Sequence, residues 1–196
     1  MDLVPIKRAL ISVTDKTGLE ELTRTLVRGN VEIVSTGGTK KRISASGVPV
    51  TAVSEVTGFP EILGGRVKTL HPNIHAGVLA DKDNPAHLQT LEEHSIKPFD
   101  LICVNLYDFA RALEAEKPPR ELVEEIDIGG PTLLRAGAKN YHSLVVLPSP
   151  EFYPAFEREC RDNDFRISLD FRRDMAVKTF ALISKYDSLI AKGLAK

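Results

Sequence analysis

Five residues between a predicted strand and a predicted helix have the composition of a phosphate-binding loop: Ser35, Thr36, Gly37, Gly38 and Thr39. The two glycines permit unusual backbone angles and let a ligand approach the main chain. The hydroxyls and the following helix N-terminus offer donors that suit phosphate. The segment matches neither GxxxxGK[ST] nor GxGxxG, so a plain turn with a threonine N-cap is an equal alternative. Lys16, in a neighbouring loop, favours the anion site.

A basic segment contains Arg66, Lys68 and Thr69, with two glycines before it and Pro72 after it. Arginine suits bidentate phosphate binding. Lysine can supply positive charge where an oxyanion develops. Basic runs are usually solvated surface, but the flanking glycines and proline favour a shaped loop here.

Asp127 and Lys139 bracket a predicted helix, and Tyr107 follows an apolar strand. Each side chain could move a proton, and each has an ordinary alternative. Lys139 could only complement the negative end of the helix dipole. Tyr107 could be a tyrosine at the edge of the core with a satisfied hydroxyl.

The histidines and cysteines do not indicate a metal site or a nucleophile. His71 and His75 have HxxxH spacing, but no glutamate follows His71, and Pro72 opposes a helix interior. Cys103 lies inside a predicted strand and is interpreted as a core residue, while Cys160 lies in a predicted helix without an evident base.

Alternating strands and helices must position these groups, which predicts an α/β fold with a mostly parallel central sheet flanked by helices. Strands are predicted over residues 9–13, 31–34, 48–53, 99–106 and 143–147. Helices are predicted over residues 19–27, 39–46, 85–94, 111–115, 120–125, 131–140, 151–162 and 169–192. Residues 54–80 are predicted to be irregular, and such a long unperiodic stretch is often functional. Polar segments follow several strands, and ligands collect beyond the carboxyl ends of such strands. The sequence therefore predicts one site on one rim.

Composition sets the broad class of the protein. The chain has 196 residues, 42% of them hydrophobic and 27% charged, with a net charge of −1. These values predict a folded globular domain spanning residues 1–196, without the basic footprint of a nucleic-acid or membrane binder. No apolar run approaches the roughly 20 residues of a membrane span, and the start lacks a signal-peptide core. Two distant cysteines indicate no disulfide framework, so a cytoplasmic location is expected.

The chain closely resembles the inosine monophosphate (IMP) cyclohydrolase domain of the bifunctional purine-biosynthesis enzyme that also carries a transformylase. The blocks GRVKTLHP, IDIGG and AKN occur in that order, and matching blocks run almost end to end. The resemblance implies a methylglyoxal-synthase-like fold with C-terminal helices. It also implies closure of 5-formamidoimidazole-4-carboxamide ribonucleotide (FAICAR) to IMP and water, with no metal or organic cofactor. A homodimer is expected, with the closing helices as the candidate interface.

The resemblance also implies residue roles. Proton transfer falls to Lys139, with Asp127 and Tyr107 in the same relay, and Lys68 would stabilise an oxyanion; which residue is the base stays open. The implied nucleotide-contacting residues are Ser12, Thr14, Asp15, Lys16, Ser35, Thr36, Gly37, Gly38, Thr39, Arg66, Val67, Thr69, Asn105, Ile128 and Gly129.

Three departures from the family pattern stand out. Asp108 replaces the usual proline after Tyr107, Gly137 stands where alanine is common, and the transformylase part is absent from these 196 residues. The chain is thus expected to be either a stand-alone cyclohydrolase or a piece of the bifunctional chain. Two other functions stay open: a methylglyoxal synthase, or a non-catalytic nucleotide-binding module like the regulatory domain of carbamoyl phosphate synthetase.

Overall fold

The computed structural model describes residues 1–195, and within them a parallel sheet of five strands forms the centre of the fold. Its strands are β2 (Arg8–Ser12), β3 (Glu32–Ser35), β4 (Thr51–Ala52), β5 (Leu101–Val104) and β6 (Val145–Leu147). They lie in the order β4-β3-β2-β5-β6, all parallel. The predicted α/β class and mostly parallel sheet are confirmed.

The central strands are short and apolar because helices cover both of their faces. All four residues of β5 are buried, as are Ala9, Leu10 and Ile11 of β2. The register pairs Ile11 with Ser35 and Ser12 with Val104. The carboxyl ends of β3, β2 and β5 are therefore level with one another, and the polar residues that follow them meet on one rim.

The helices connect the strands and close the chain. Their bounds are α1 (Leu19–Arg28), α2 (Gly37–Ala45), α3 (Val53–Thr57), α4 (Pro72–Leu79), α5 (Pro85–Glu93), α6 (Phe109–Glu114), α7 (Pro119–Glu124), α8 (Gly129–Lys139), α9 (Tyr153–Asp162) and α10 (Leu169–Leu194). Short 3₁₀ turns lie at Leu63–Gly65 and Pro150–Phe152. The closing helix α10 packs against α8 and β6.

The prediction that residues 54–80 are irregular is wrong in two places. Helix α3 occupies the start of this stretch, and α4 occupies its end. Pro72 is the first residue of α4, where a missing N–H costs no hydrogen bond. His71 is its N-cap, and its Nδ1 accepts from the Asn73 N–H at 3.1 Å. A strand was predicted over residues 48–53, but only Thr51 and Ala52 form β4, because α3 begins directly after them.

A second, two-stranded antiparallel sheet was not predicted. It pairs β1 (Leu3–Pro5) with β7 (Arg166–Ser168), so the first residues of the chain lie beside the start of α10. Arg172 of α10 is fully buried and donates to the carbonyl oxygens of Met1 at 2.7 Å and Tyr141 at 2.8 Å. This guanidinium ties three distant segments together.

A mostly buried ion pair lies at the amino end of the sheet, opposite the rim. The Lys82 ammonium contacts the Asp100 carboxylate and donates to the carbonyl oxygens of Phe99 at 2.9 Å and Ser143 at 2.8 Å. Oδ2 of Asp100 accepts from the backbone N–H of Arg8 at 2.8 Å. Burial lowers the pKa of Lys82, while Asp100 opposes that shift.

Cys103 is buried, as its interpretation as a core residue predicts, and Cys160 is buried within α9. The Cys103 thiol donates to the Tyr153 hydroxyl at 3.2 Å, and burial raises its pKa to about 12. Across residues 1–195, no helix combines the length and the apolar character that a membrane crossing needs.

Candidate active site

A cavity of about 610 Å³ opens at the carboxyl edge of the parallel sheet. This volume falls in the range of small-molecule sites. Residues from the ends of β2, β3 and β5 line one side, and the basic loop and the start of α8 line the other. Its polar and charged lining residues are Ser12, Thr14, Lys16, Thr36, Thr39, Glu61, Arg66, Lys68, Thr69, Asn105, Tyr107, Glu124 and Asp127.

Hydroxyl groups join the loops that follow β2 and β3. Ser12 Oγ lies 2.8 Å from Thr36 Oγ1. Thr39 Oγ1 accepts from the Val13 N–H at 3.1 Å and donates to the Val13 carbonyl at 2.9 Å. These bonds hold the first turn of α2 against the end of β2. The wall built from residues 36–39 is thus fixed before a ligand arrives.

Glycines shape this wall. Gly37 has φ +36°, outside the range that most side chains adopt, and Gly38 follows it in the first turn of α2. Backbone N–H groups in the first turn of a helix lack partners within the helix. Residues 37–39 line the cavity, so these donors and the helix dipole are available to an anion there.

Asn105 anchors the loop after β2. Its Oδ1 accepts from the N–H of Thr14 at 2.6 Å and of Asp15 at 3.1 Å, and its Nδ2 donates to the Asp15 carbonyl at 2.8 Å. Lys16 Nζ lies 3.2 Å from the Thr14 carbonyl oxygen. Asn105 is 8% exposed, so its amide serves mainly to fix this loop.

The basic loop forms the opposite wall. The Arg66 guanidinium is paired with the Glu124 carboxylate of α7, which ties the loop to the helical side of the cavity. Gly65 has φ +94°, and a Cβ at this position would stand 2.7 Å from Oε1 of Glu61 and 3.8 Å from Nζ of Lys68. The side chains of Glu61 and Lys68 therefore both approach Gly65, whose positive φ disfavours any larger residue.

Asp127 lies in the turn between α7 and α8. Its Oδ1 accepts from the Gly130 N–H at 2.9 Å, in the first turn of α8. Burial raises the pKa of the Asp127 carboxyl, while the N–H groups of Gly130 and Gly129 and the charge of Lys68 oppose that shift. A buried carboxyl group with a raised pKa, under the influence of a lysine charge, is a candidate for proton transfer.

Tyr107 stands at the mouth of the site and is 38% exposed. It lines the main cavity and also a smaller one of about 380 Å³, whose lining includes Arg111 and Lys117. Asp108, the departure noted after Tyr107, is the N-cap of α6, and its carboxylate accepts from the Arg111 N–H at 3.1 Å. Asp108 therefore caps the helix that begins directly after it.

The structure brings most of the predicted site residues together. Of the catalytic candidates, Lys68, Tyr107 and Asp127 line the cavity; of the binding candidates, so do Ser12, Thr14, Lys16, Thr36, Gly37, Gly38, Thr39, Arg66, Thr69, Asn105, Ile128 and Gly129.

Three predicted binding residues lie beside the cavity rather than in its lining. Ser35 is fully buried and its Oγ donates to the Ile11 carbonyl at 2.7 Å, so it joins β3 to β2. Oδ1 of Asp15 accepts from the hydroxyl of Thr17 at 2.7 Å, which is the main cause of a lowered Asp15 pKa. Val67 forms an isolated antiparallel bridge with Ile62. All three shape the loops that carry the lining residues.

Lys139 is the one catalytic candidate that the structure places away from the cavity. It is the last residue of α8, exposed to solvent, whereas Gly129 at the other end of the helix lines the site. Ten residues at 1.5 Å each separate the two ends by about 15 Å. The next residue, Asn140, donates to the carbonyls of Val78 at 2.8 Å and Ala80 at 2.9 Å. The AKN segment therefore joins α8 to the end of α4.

Sequence reasoning missed two carboxylates of the lining. Glu61 ends the segment TGFPE (residues 57–61), which is one of the blocks that match the family pattern, and this match was the available signal. Glu124 gave no signal because an acidic residue on a short helix is ordinary surface. Its significance comes only from its pairing with Arg66.

The chain is similar to known proteins along almost its whole length. Residues 18–132 match the family described as MGS-like domain, and residues 137–196 match the AICARFT/IMPCHase bienzyme family. The chain is 51% identical to the bifunctional purine biosynthesis protein PurH of Rippkaea orientalis over 93% of its own length. It is 45% identical to PurH of Mesorhizobium japonicum over its full length. In each case it spans 36% of the relative.

A solved structure shares the fold. The crystal structure of ForH superposes with a TM-score of 0.85 at 29% identity, covering 96% of both chains. This coverage includes both the part that matches the MGS-like domain and the C-terminal part.

Proposed function

Because the chain belongs to the MGS-like domain family and is similar to PurH proteins along almost its whole length, we propose that it is an IMP cyclohydrolase. In this reaction FAICAR closes to IMP with loss of water. One observation carries the proposal: Lys68 and Asp127, which are distant in sequence, line one cavity whose far wall is a glycine-containing helix start. Such a cavity suits a phosphorylated substrate with a reacting polar group at its other end.

The substrate itself contains both reacting groups. The carboxamide nitrogen attacks the formyl carbon, and the carbonyl electron pair moves onto the formyl oxygen. A proton leaves the attacking nitrogen and one reaches that oxygen. The resulting hydroxyl then departs as water with a proton from the formamide nitrogen, which leaves the closed ring. The protein needs no nucleophile of its own, and holding the two arms together is worth several kcal/mol in such closures.

We assign the chemistry to Lys68, Asp127 and Tyr107. The Lys68 ammonium would stabilise negative charge on the formyl oxygen during attack. The Asp127 carboxylate would accept the proton of the attacking nitrogen, a task that its raised pKa favours. The Tyr107 hydroxyl, at the mouth of the same cavity, would return a proton to the departing oxygen.

The phosphate would bind at the opposite wall. The first turn of α2 offers backbone donors and the positive end of a helix dipole, and Thr36 and Thr39 add hydroxyls. Lys16 supplies a nearby positive charge. Arg66, held by Glu124 in this structure, can exchange that carboxylate for the phosphate when substrate binds.

Lys139 is left out of this relay. Its place at the far end of α8 gives it no access to the cavity within one chain. There it complements the negative end of the helix dipole. The proposal therefore keeps proton transfer with residues that line the cavity.

One assay tests the proposal against its alternatives. Purified protein is incubated with FAICAR, and IMP is followed by absorbance and chromatography, with Lys68→Ala as the matched control. Saturable IMP formation that the control lacks supports a cyclohydrolase. Tight IMP binding without turnover would instead indicate a regulatory module. In a parallel incubation with a triose phosphate, release of methylglyoxal would indicate a methylglyoxal synthase. The expected homodimer is tested separately by light scattering.

A further inference from the structure

We propose that Tyr186 of α10 is a positioning residue for Asp127, so that the C-terminal helix is part of the active site. The inference rests on the role proposed for Asp127 in ring closure. Tyr186 does not line the cavity and reaches the chemistry only through the main chain of Asp127.

A backbone hydrogen bond carries this proposal. The N–H of Asp127 donates to the phenol oxygen of Tyr186 at 2.8 Å. The Tyr186 hydroxyl lies 3.5 Å from the carbonyl oxygen of Glu125 in the same turn. One phenol group thus contacts two main-chain groups of the segment that joins α7 to α8.

The carboxylate of Asp127 is held from the other side. Its Oδ1 accepts from the Gly130 N–H, so the side chain is tied to α8 while the main chain is tied to α10. Two fixed points, one on each side of the Cα, leave the carboxylate little freedom to turn away from the cavity. A base that must meet a nitrogen at hydrogen-bond distance depends on such fixing.

Tyr186 itself is firmly packed. It is 8% exposed, and its ring meets that of Phe109 edge-on, with 6.5 Å between centroids and 75° between planes. Phe109, Ala112 and Leu122 complete a separate hydrophobic cluster around it. Burial is the main cause of a raised Tyr186 pKa, so the phenol stays protonated at neutral pH. The group that holds Asp127 is therefore rigid and neutral.

The two residues come from different parts of the chain. Asp127 lies within residues 18–132, the part that matches the MGS-like domain, and Tyr186 lies within residues 137–196, the part that matches the bienzyme family. Helix α10, which lies in the C-terminal part, therefore supplies the contact that positions Asp127. This gives α10 a function beyond covering the sheet.

The test compares Tyr186→Phe with Tyr153→Phe in the full chain. Both changes remove one hydroxyl from a buried tyrosine ring, but the hydroxyl of Tyr153 contacts the thiol of Cys103 in the core. For Tyr186→Phe we expect a fall in kcat of about ten-fold with little change in the KM for FAICAR. For Tyr153→Phe we expect kcat to stay near the wild-type value.

Two further measurements separate positioning from general stability. Amide hydrogen exchange over residues 125–127 should be faster in Tyr186→Phe and unchanged in Tyr153→Phe. In an Asp127→Asn background, the effect of Tyr186→Phe on kcat should largely vanish, because the two residues act as one unit.

The outcomes are distinguishable. Wild-type exchange at residues 125–127 in Tyr186→Phe, or equal kcat losses in the two tyrosine variants, would overturn the positioning role. Absence of FAICAR turnover in the wild-type protein would instead refute the proposed function. The exchange measurement would still decide whether Tyr186 fixes the turn.

Discussion

Gly130 leaves open the space that the carboxyl group of Asp127 occupies. A methyl group at Gly130 would overlap Oδ2 of Asp127 and come within 2.8 Å of Cδ2 of Leu106. The same glycine donates its N–H to Oδ1 of Asp127. The position of this carboxylate therefore depends on the absence of a side chain three residues away.

Gly130→Ala should therefore displace the carboxylate and lower kcat at least about ten-fold. Gly137→Ala is the matched control in the same helix. A Cβ at Gly137 would meet neighbours at 3.5 Å, which is ordinary contact, and alanine should stabilise the helix by about 0.5–1 kcal/mol. Steady-state kinetics and thermal unfolding check both variants. Equal kcat values for the two would show that Asp127 tolerates displacement.

Lys68 and Lys139 should respond differently to truncation. Removal of an oxyanion-stabilising group typically costs about 10²–10³ in kcat, so this loss is expected for Lys68→Ala. The loss for Lys139→Ala should be much smaller, because this side chain lies at the exposed end of α8. Turnover of FAICAR by both variants is the measurement. If Lys139→Ala lowered kcat as much as Lys68→Ala does, Lys139 would have to take part in proton transfer.

Asp127→Asn should lower kcat and raise the melting temperature at pH 7. Loss of a general base typically lowers kcat about 10²–10⁴-fold. Burial raises the pKa of Asp127 in the folded protein above its ordinary value of 3.8, so the ionised carboxylate costs stability once the pH exceeds the folded pKa. At pH 7 the asparagine variant avoids that cost and should melt higher, by about 2–4 °C for each kcal/mol.

The stability difference between Asp127→Asn and the wild-type protein should depend on pH. The melting-temperature advantage of Asp127→Asn should shrink as the pH falls towards 3.8, where the wild-type carboxyl is protonated in the folded state. The kcat of the wild-type protein should fall over the same acidic limb, since the base is lost on protonation. A variant that melts lower than wild type at pH 7 would contradict this account.

Lys82→Met should unfold the protein more easily without a direct effect on the cavity. The change leaves the Asp100 carboxylate buried without its cation, which typically costs about 3–5 kcal/mol. Lys97→Met is the control, because Lys97 is 74% exposed and lies 3.8 Å from Glu32. Its cost should stay within about 0.5 kcal/mol in urea unfolding. Equal midpoints for the two variants would argue against a structural role for the buried pair.

Much of the fold was predictable because short apolar runs bounded by turn residues signal buried parallel strands. This holds for β2, β3 and β5. The strands β1 and β7 were missed because three residues with one buried side chain give no pattern, and their pairing depends on distant partners. Helix α4 was missed because Pro72 was interpreted as a break, whereas it begins the helix.

The part of the site that is built from residues directly after the strands was predictable. Hydroxyls and amides after β2, β3 and β5 had to meet on one rim because parallel strands end at the same edge. The position of Lys139 could not be predicted in this way, because it does not follow a strand. Spacing places it on α8, but only the structure shows that the helix runs away from the cavity. Tyr186 lay beyond prediction from residue type, because its partner is a main-chain N–H.

The contacts of α10 set an order of events during synthesis. The glycine wall, the basic loop and Asp127 all leave the ribosome before Tyr186 does, and β1 remains an unpaired edge until β7 emerges. A nascent chain can build the parallel sheet and most of the cavity while its base is still unanchored. The turn that carries Asp127 is therefore fixed only when α10 folds back against parts of the chain that are made earlier.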